Sequence, residues 1–392
     1  MKQSKKIPFL LAACLSTVVL AVINSSFGPM LAPITENYLD GESASRGYPN
    51  SAMQIGCIVA VLLLAVVGGR LKGRGKLLLM SASMAVLTLT MLALGTAPDF
   101  LVFVAIFAVV GLAYGTVDVL SSALVADVYG ESAAGMMCLL HGSHGAAGII
   151  APIAIAFVLS NAEKWALPYT LIGCFVLCVL AYLLLLFVFG GRKLSPASAQ
   201  TSSSPVKFDK KLIPFAASIC LYGVYLVGMI CYTESYETSL MSASNAKALT
   251  LSLLYLGLTA SRLSMPALRK LFGLSPCTYL AFAPFISSAL LFVGVLSQNG
   301  TVYIVLSALS SFVAGAFIPI AISLACELMV GNTTGASTYM NLAMLIGNSI
   351  ASPLIGAVGG AFGIKLGMII PPVALAVCGA FATFANKKKK TL

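Results

Sequence analysis

Charge is scarce in this chain: 9% of its 392 residues are Asp, Glu, Lys or Arg, against 59% hydrophobic ones. A soluble core cannot absorb that ratio and lipid can, so a soluble globular fold is excluded. No G-x-x-x-x-G-K-S/T loop occurs, nor any soluble segment to hold one, which excludes ATP hydrolysis as a driving force. Neither G-x-S-x-G nor H-E-x-x-H is present, so the usual signals of a membrane-embedded hydrolase are missing too. The ten cysteines never form C-x-x-C. Scattered singly through apolar segments, as at Cys57, Cys138, Cys231 and Cys378, they are expected to behave as small buried hydrophobes. Cys174 and Cys178 fit a helical i,i+4 pair rather than a redox site. No cofactor is expected.

What the chain does have is twelve apolar stretches, each long enough for a spanning helix. They cover 7–33, 51–71, 77–96, 100–127, 134–160 and 167–190, then 212–240, 245–268, 275–297, 301–329, 334–361 and 365–386. A net charge of +11 can indicate nucleic-acid binding, but its placement argues against that partner. Of 23 Lys and Arg residues, 18 fall at 2–6, 70–76, 192–211, 269–270 and 387–390, in alternate gaps or at the ends. Basic short loops stay on the cytoplasmic side, so both termini are expected in the cytoplasm of a multi-pass inner (cytoplasmic) membrane protein. The same clusters favour anionic lipid headgroups. Gap 34–50 agrees, with three acids and only Arg46. The first stretch has the charged and apolar regions of a signal peptide. Asn24-Ser25-Ser26 is a poor cleavage site, however, and an uncleaved helix is expected.

Residues 192–211 form the one long polar segment, Ser/Ala/Pro-rich and without hydrophobic periodicity, and read as a flexible linker. They divide the chain into six-span halves, 1–191 and 212–392. An offset of 200 residues superposes Gly115 on Gly315, Leu124 on Leu324, Asp127 on Glu327, Gly135 on Gly335 and Ala151 on Ala351. The acid-for-acid match between two otherwise apolar hairpins points to duplicated halves, an arrangement common among secondary transporters.

Ionisable groups deep in a spanning helix are costly unless paired or hydrated, which makes them functional candidates. In the first half these are Asp118, His141 and His144; in the second, Glu234, Glu237 and Arg262. The fourth and fifth spans turn near residue 130, so Asp118 and His141 lie at equal depth, about 15 Å from the turn. At that depth an Asp and a His can share a proton. The competing reading has Asp118 accepting hydrogen bonds from helix backbones or Ser/Thr neighbours. His141 and His144 have i,i+3 spacing, but no further Cys or Glu lies nearby in sequence and no metal site is expected. Glu234 and Glu237 fall roughly 35 Å up the seventh span, near its outer end. Tyr232, Tyr236 and Glu237 fit an outer rim there, although for Glu237 a solvated helix terminus is preferred. Asn24, Gln54, Asn341 and Asn348 are uncharged polar groups within spans, suited to a solute or to gluing helices together. The offset places Asn341 at the position of His141.

The run GLAYGTVDVLSSALVADVYGESAAGMMCLLHGSHGAAGIIAP at 111–152 resembles the fourth and fifth helices of the major facilitator superfamily. It is most similar to the fucose permease-like branch. Gly111, Gly115 and Asp118 match its glycine-rich helix with an acid; Leu140, His141 and Gly145 match its Leu-His-x-x-aromatic-Gly stretch. FGPMLAP at 27–33, YTESYETSL and SRLSMPALRKLFG resemble its first, seventh and eighth helices. The chain departs from the pattern in several places. GGRLKGRGK keeps Gly69, Arg70, Arg74 and Lys76 of the cytoplasmic gating loop but lacks its acid. His144 stands for an aromatic, and the one Trp, Trp165, lies in a loop.

The resemblance implies an all-α membrane protein of twelve transmembrane helices in two pseudo-symmetric six-helix bundles. Its expected activity is alternating-access transport of a small polar organic solute such as a sugar, coupled to protons through Asp118 and His141. Asn24, Gln54, His144, Tyr232, Glu234, Asn341 and Asn348 are expected to contact the solute. The lipid bilayer is the remaining partner, and the chain is expected to act as a monomer. Rival expectations are proton-coupled efflux of drugs or metabolites, an integral enzyme using Asp118 and His141 on a lipid-linked substrate, and a signalling or scaffold role.

Overall fold

The computed structural model describes residues 6–39, 45, 47–67, 71, 73–129, 133–189, 212–240, 247–328 and 333–390. The predicted linker, 192–211, lies outside these residues, as do Gly69 and Arg70 of the gating loop. No strand occurs among the described residues. The helices are α1 (Ile7–Ser25), α2 (Phe27–Tyr38), α3 (Tyr48–Val67), α4 (Gly73–Leu94), α5 (Phe100–Tyr129), α6 (Ala133–Asn161) and α7 (Leu167–Phe189). The second half holds α8 (Ile213–Leu240), α9 (Lys247–Phe272), α10 (Pro276–Leu296), α11 (Gly300–Ala314), α12 (Phe317–Leu328), α13 (Thr333–Phe362), α14 (Ile364–Gly367) and α15 (Ile370–Lys390). With α1–α2, α11–α12 and α14–α15 each counted as one interrupted helix, they form twelve spans that follow the predicted stretches within a few residues. Ten are long and apolar enough to cross a bilayer by composition, and Tyr48–Leu64 is a shorter apolar helix. The remaining one, α9, carries four Lys or Arg residues.

Proline explains the three interruptions. It lacks an N–H and its ring clashes with the carbonyl four residues earlier. Pro29 acts on Ser25, Pro319 on Gly315, and Pro371 and Pro372 on Gly367 and Met368. The helices break at each of these places. Where a proline sits inside a helix without breaking it, a side chain can take over the freed carbonyl. Pro353 frees Ser349, whose carbonyl accepts a hydrogen bond from the Ser51 hydroxyl at 2.8 Å.

Contacts divide the chain into two compact units, one of Met1–Ser26 and Ala52–Ser204, the other of Phe27–Ser51 and Pro205–Leu392. Segment 27–51 therefore packs with the second unit, where α2 lies against α8 and α9.

Within each unit the same small-residue crossing recurs. A Cβ on Gly56 would sit 2.1 Å from the Ala108 oxygen and 2.7 Å from the Leu112 nitrogen; on Gly257 it would sit 2.7 Å from the Ala308 oxygen and 3.0 Å from the Phe312 nitrogen. Gly115 abuts Cys57 and Ala60, as Gly315 abuts Leu258 and Ser261. Each partner lies 200 or 201 residues from its counterpart, so the repeat seen in sequence is a repeat of backbone approaches. One residue breaks the match: Val119 stands where the second half has Pro319, and α5 runs unbroken through Gly115.

Candidate functional site

Asp118 lies eleven residues before the end of α5 and is exposed. Its direction follows from the helix. Leu101, Val109, Leu112 and Val119 form the exposed apolar stripe of α5. At 3.6 residues per turn Asp118 projects about 130° away from it. An ionisable group in a spanning helix that lies off the apolar stripe is a functional candidate. Among the described residues it makes no hydrogen bond or ion pair, and the buried Cys57 thiol lies within its electrostatic reach.

His141 is also exposed, and the α6 stripe is Leu139, Ile150, Ile153 and Phe157. His141 projects about 150° from that stripe. Both predicted proton groups thus lie exposed and off the apolar stripes of their helices, and no ion pair between the two occurs among the described residues. His144 points elsewhere: its Nδ1 donates to the Thr17 carbonyl of α1 at 3.2 Å. Asn24 is half-buried and Gln54 buried.

In the second unit Asn341, the counterpart of His141, is exposed on α13. It projects about 180° from the stripe of Ile346, Ile350 and Leu354. Tyr232 is buried and donates its hydroxyl to the Ser352 carbonyl at 2.6 Å. Asn348 is buried against Gly223, where a Cβ would lie 2.7 Å from its Oδ1. Glu234 is buried, with Oε2 beside Gly28 of α2.

Glu237 corrects the expectation of a solvated terminus. It is 1% exposed and accepts a hydrogen bond from Thr250 Oγ1 of α9. Depth along α8 was legible, but α8 is packed by α2, α9, α11, α12, α13, α14 and α15, so even its outer end is enclosed. Around Glu237, Thr233 shares a 2.6 Å hydrogen bond with Tyr303, and Tyr236 donates to Val295. Glu237→Ala leaves Thr250 without this acceptor in a buried site and is expected to cost about 1–3 kcal/mol. Glu237→Gln keeps an acceptor and should melt close to the parent. Equal melting temperatures for the two variants in detergent would show that the Thr250 bond contributes nothing.

The cysteine expectation holds only in part: Cys57, Cys231 and Cys378 are buried, Cys14, Cys220 and Cys277 are half-buried, and Cys174 and Cys178 lie on the exposed side of α7, while the Cys138 side chain lies outside what the structure describes. Of the gating loop, Arg74 stacks over the Phe187 ring at 4.9 Å and Lys76 pairs with Asp127 at 2.6 Å. The acid missing from the loop is supplied from the end of α5, 51 residues away, a pairing that no local motif could reveal. Sequence reasoning named Arg262 as a candidate but not its partner: its Nε donates to the Gly315 carbonyl at 3.1 Å. Pro319, four residues beyond Gly315, was the available signal.

A sequence profile described as Major Facilitator Superfamily matches residues 13–281. The chain belongs to that superfamily. It is therefore a membrane transporter rather than an enzyme. No curated protein matches it in sequence. Among solved structures it is similar to a bacterial homologue of the human lysosomal transporter Spinster, inward-facing and unoccupied. That match has a TM-score of 0.75 at 14% identity, covering 99% of this chain and 98% of that one. It is also similar to a variant of the E. coli fucose:proton symporter, at TM-score 0.67 and 17% identity over 98% and 99% of the chains. A nucleoside transporter variant matches at 0.70 and 13%, over 98% of each. At these identities the likeness establishes the fold of this superfamily member.

Proposed function

We propose that this superfamily member moves a small polar organic solute across the cytoplasmic membrane by alternating access, together with protons. Asp118 is the proton carrier and His141 a second titratable group in the same half. One observation carries this: an exposed mid-span carboxylate, off the apolar stripe of its helix, with no hydrogen-bond or ion-pair partner among the described residues. A structural acid would be tied to a neighbour, as Glu237 is. An acid left open can load and release a proton as its surroundings change. The fucose:proton symporter among the similar folds is consistent with a sugar-like solute.

The test uses purified protein in liposomes that hold a pH-sensitive dye, challenged with neutral hexoses, nucleosides and sugar acids. Symport acidifies the interior when solute is added outside. Proton-exchanging efflux makes it more alkaline, which identifies the rival transport mode. Solute counterflow without any dye response would remove proton coupling and leave transport standing.

A further inference from the structure

We propose that Arg262 is an oxyanion site, anchoring a carboxylate or phosphate group of the transported solute. This deepens the transport function proposed here by naming a substrate class.

The site begins with Pro319. Because proline has no N–H, the Gly315 carbonyl loses its partner inside the eleventh and twelfth helices, and the span breaks there. Side chains from neighbouring helices occupy the exposed backbone groups. Tyr279 donates to the Val313 carbonyl at 2.7 Å and Tyr222 to Ala314 at 3.0 Å, while the Ala316 N–H reaches Ser261 at 3.1 Å. Gly315 is taken by Arg262 through Nε.

That bond fixes the guanidinium plane by its inner edge. The two terminal nitrogens make no hydrogen bond or ion pair among the described residues, although the side chain is exposed. Among the described residues the titratable groups that feel its charge are Tyr222 and Tyr279, and both donate their hydroxyls to backbone carbonyls. Neither is a counterion. Arg262 also lies off the apolar side of its helix: Leu249, Leu256 and Leu263 form the exposed stripe of α9, and Arg262 projects about 120° from it. An arginine in a membrane span, held by Nε with its outer fork open, offers two parallel donors matched to a carboxylate or phosphate. The first half has nothing equivalent, since Val61 and Val119 stand where the second half has Arg262 and Pro319.

The experiment is phenylglyoxal labelling of the full-length protein in detergent, with modification of Arg262 read by peptide mass. Buffers of equal ionic strength contain chloride, acetate or inorganic phosphate. Arg262 should label readily in chloride and about fivefold more slowly in acetate or phosphate, as expected for a paired guanidinium. No labelling in chloride would mean that the outer fork is closed, and equal rates in all three salts would mean that no oxyanion binds; either overturns the proposal. Pro319→Ala restores the backbone donor to Gly315 and releases Arg262 from its mooring. Protection should then fall while labelling persists, and unchanged protection would overturn the role given to the mooring. Because labelling needs no transport, these outcomes are separate from the liposome assay. Failure there with protection here would leave an anion-binding protein that does not transport.

Discussion

Asp118→Asn leaves the protein folded and inserted but abolishes solute accumulation driven by a pH gradient. Asparagine has the shape of aspartate and remains polar at an exposed position, so nothing in the packing of α5 is disturbed. It has no proton to release. Uptake against a gradient should fall to the level of empty liposomes, while exchange of labelled for unlabelled solute across the same vesicles continues, since that needs no net proton movement. Accumulation by Asp118→Asn at the parent rate would transfer the coupling role to another group. Because no hydrogen bond or ion pair to Asp118 exists among the described residues, the thermal stability of the variant should match the parent. That distinguishes loss of a carrier from loss of a structural acid such as Glu237, where removal of the side chain is expected to lower the melting temperature.

The sequence made the spans legible because hydropathy and length act locally. Each predicted stretch has its helix, and even the interruption at Ser26 could have been placed from Pro29. Rotation was harder. Asp118 and His141 could be set at one depth by counting residues from a turn, but which way each points depends on the exposed stripe of its helix, and that depends on neighbours. Glu237 shows the cost of depth without rotation: it lies near an end, as counted, yet α8 is enclosed there and Thr250 holds the carboxylate. Long-range pairs were not legible at all. Lys76 finds Asp127, and Arg262 finds a carbonyl that is free only because of a proline on another helix.

Gly111→Leu should prevent stable folding, the largest effect expected from any single substitution here. The close approach of α3 and α5 is between backbones: a Cβ on Gly111 would lie 1.8 Å from the Met53 oxygen and 2.6 Å from its carbonyl carbon. A flexible side chain could swing aside, but main chain cannot, so the helices would have to separate along the whole crossing. Overpacking usually costs about 1–3 kcal/mol. A contact with rigid backbone belongs beyond that range, and even Gly111→Ala is expected to cost about 3 kcal/mol. Gly142→Ala is the control on the same unit, because a Cβ there meets nothing within 4 Å. It should stabilise by about 0.5–1 kcal/mol through helix propensity. Fluorescence-detected size exclusion of the two variants gives the comparison. A sharp, full-height peak for Gly111→Leu would show that the crossing tolerates bulk.

The assignment of residues 27–51 to the second unit has a bearing on how this protein can be taken apart. A gene cut after Phe189 and expressed as two pieces would not yield two self-sufficient bodies. The later piece would lack α2, whose Gly28 lies against Ile230 and Leu251, and would expose the apolar bed that α2 covers on α8 and α9. The earlier piece would carry α2 with nothing to lie upon. Reassembly from fragments therefore requires both to be made together in the same membrane.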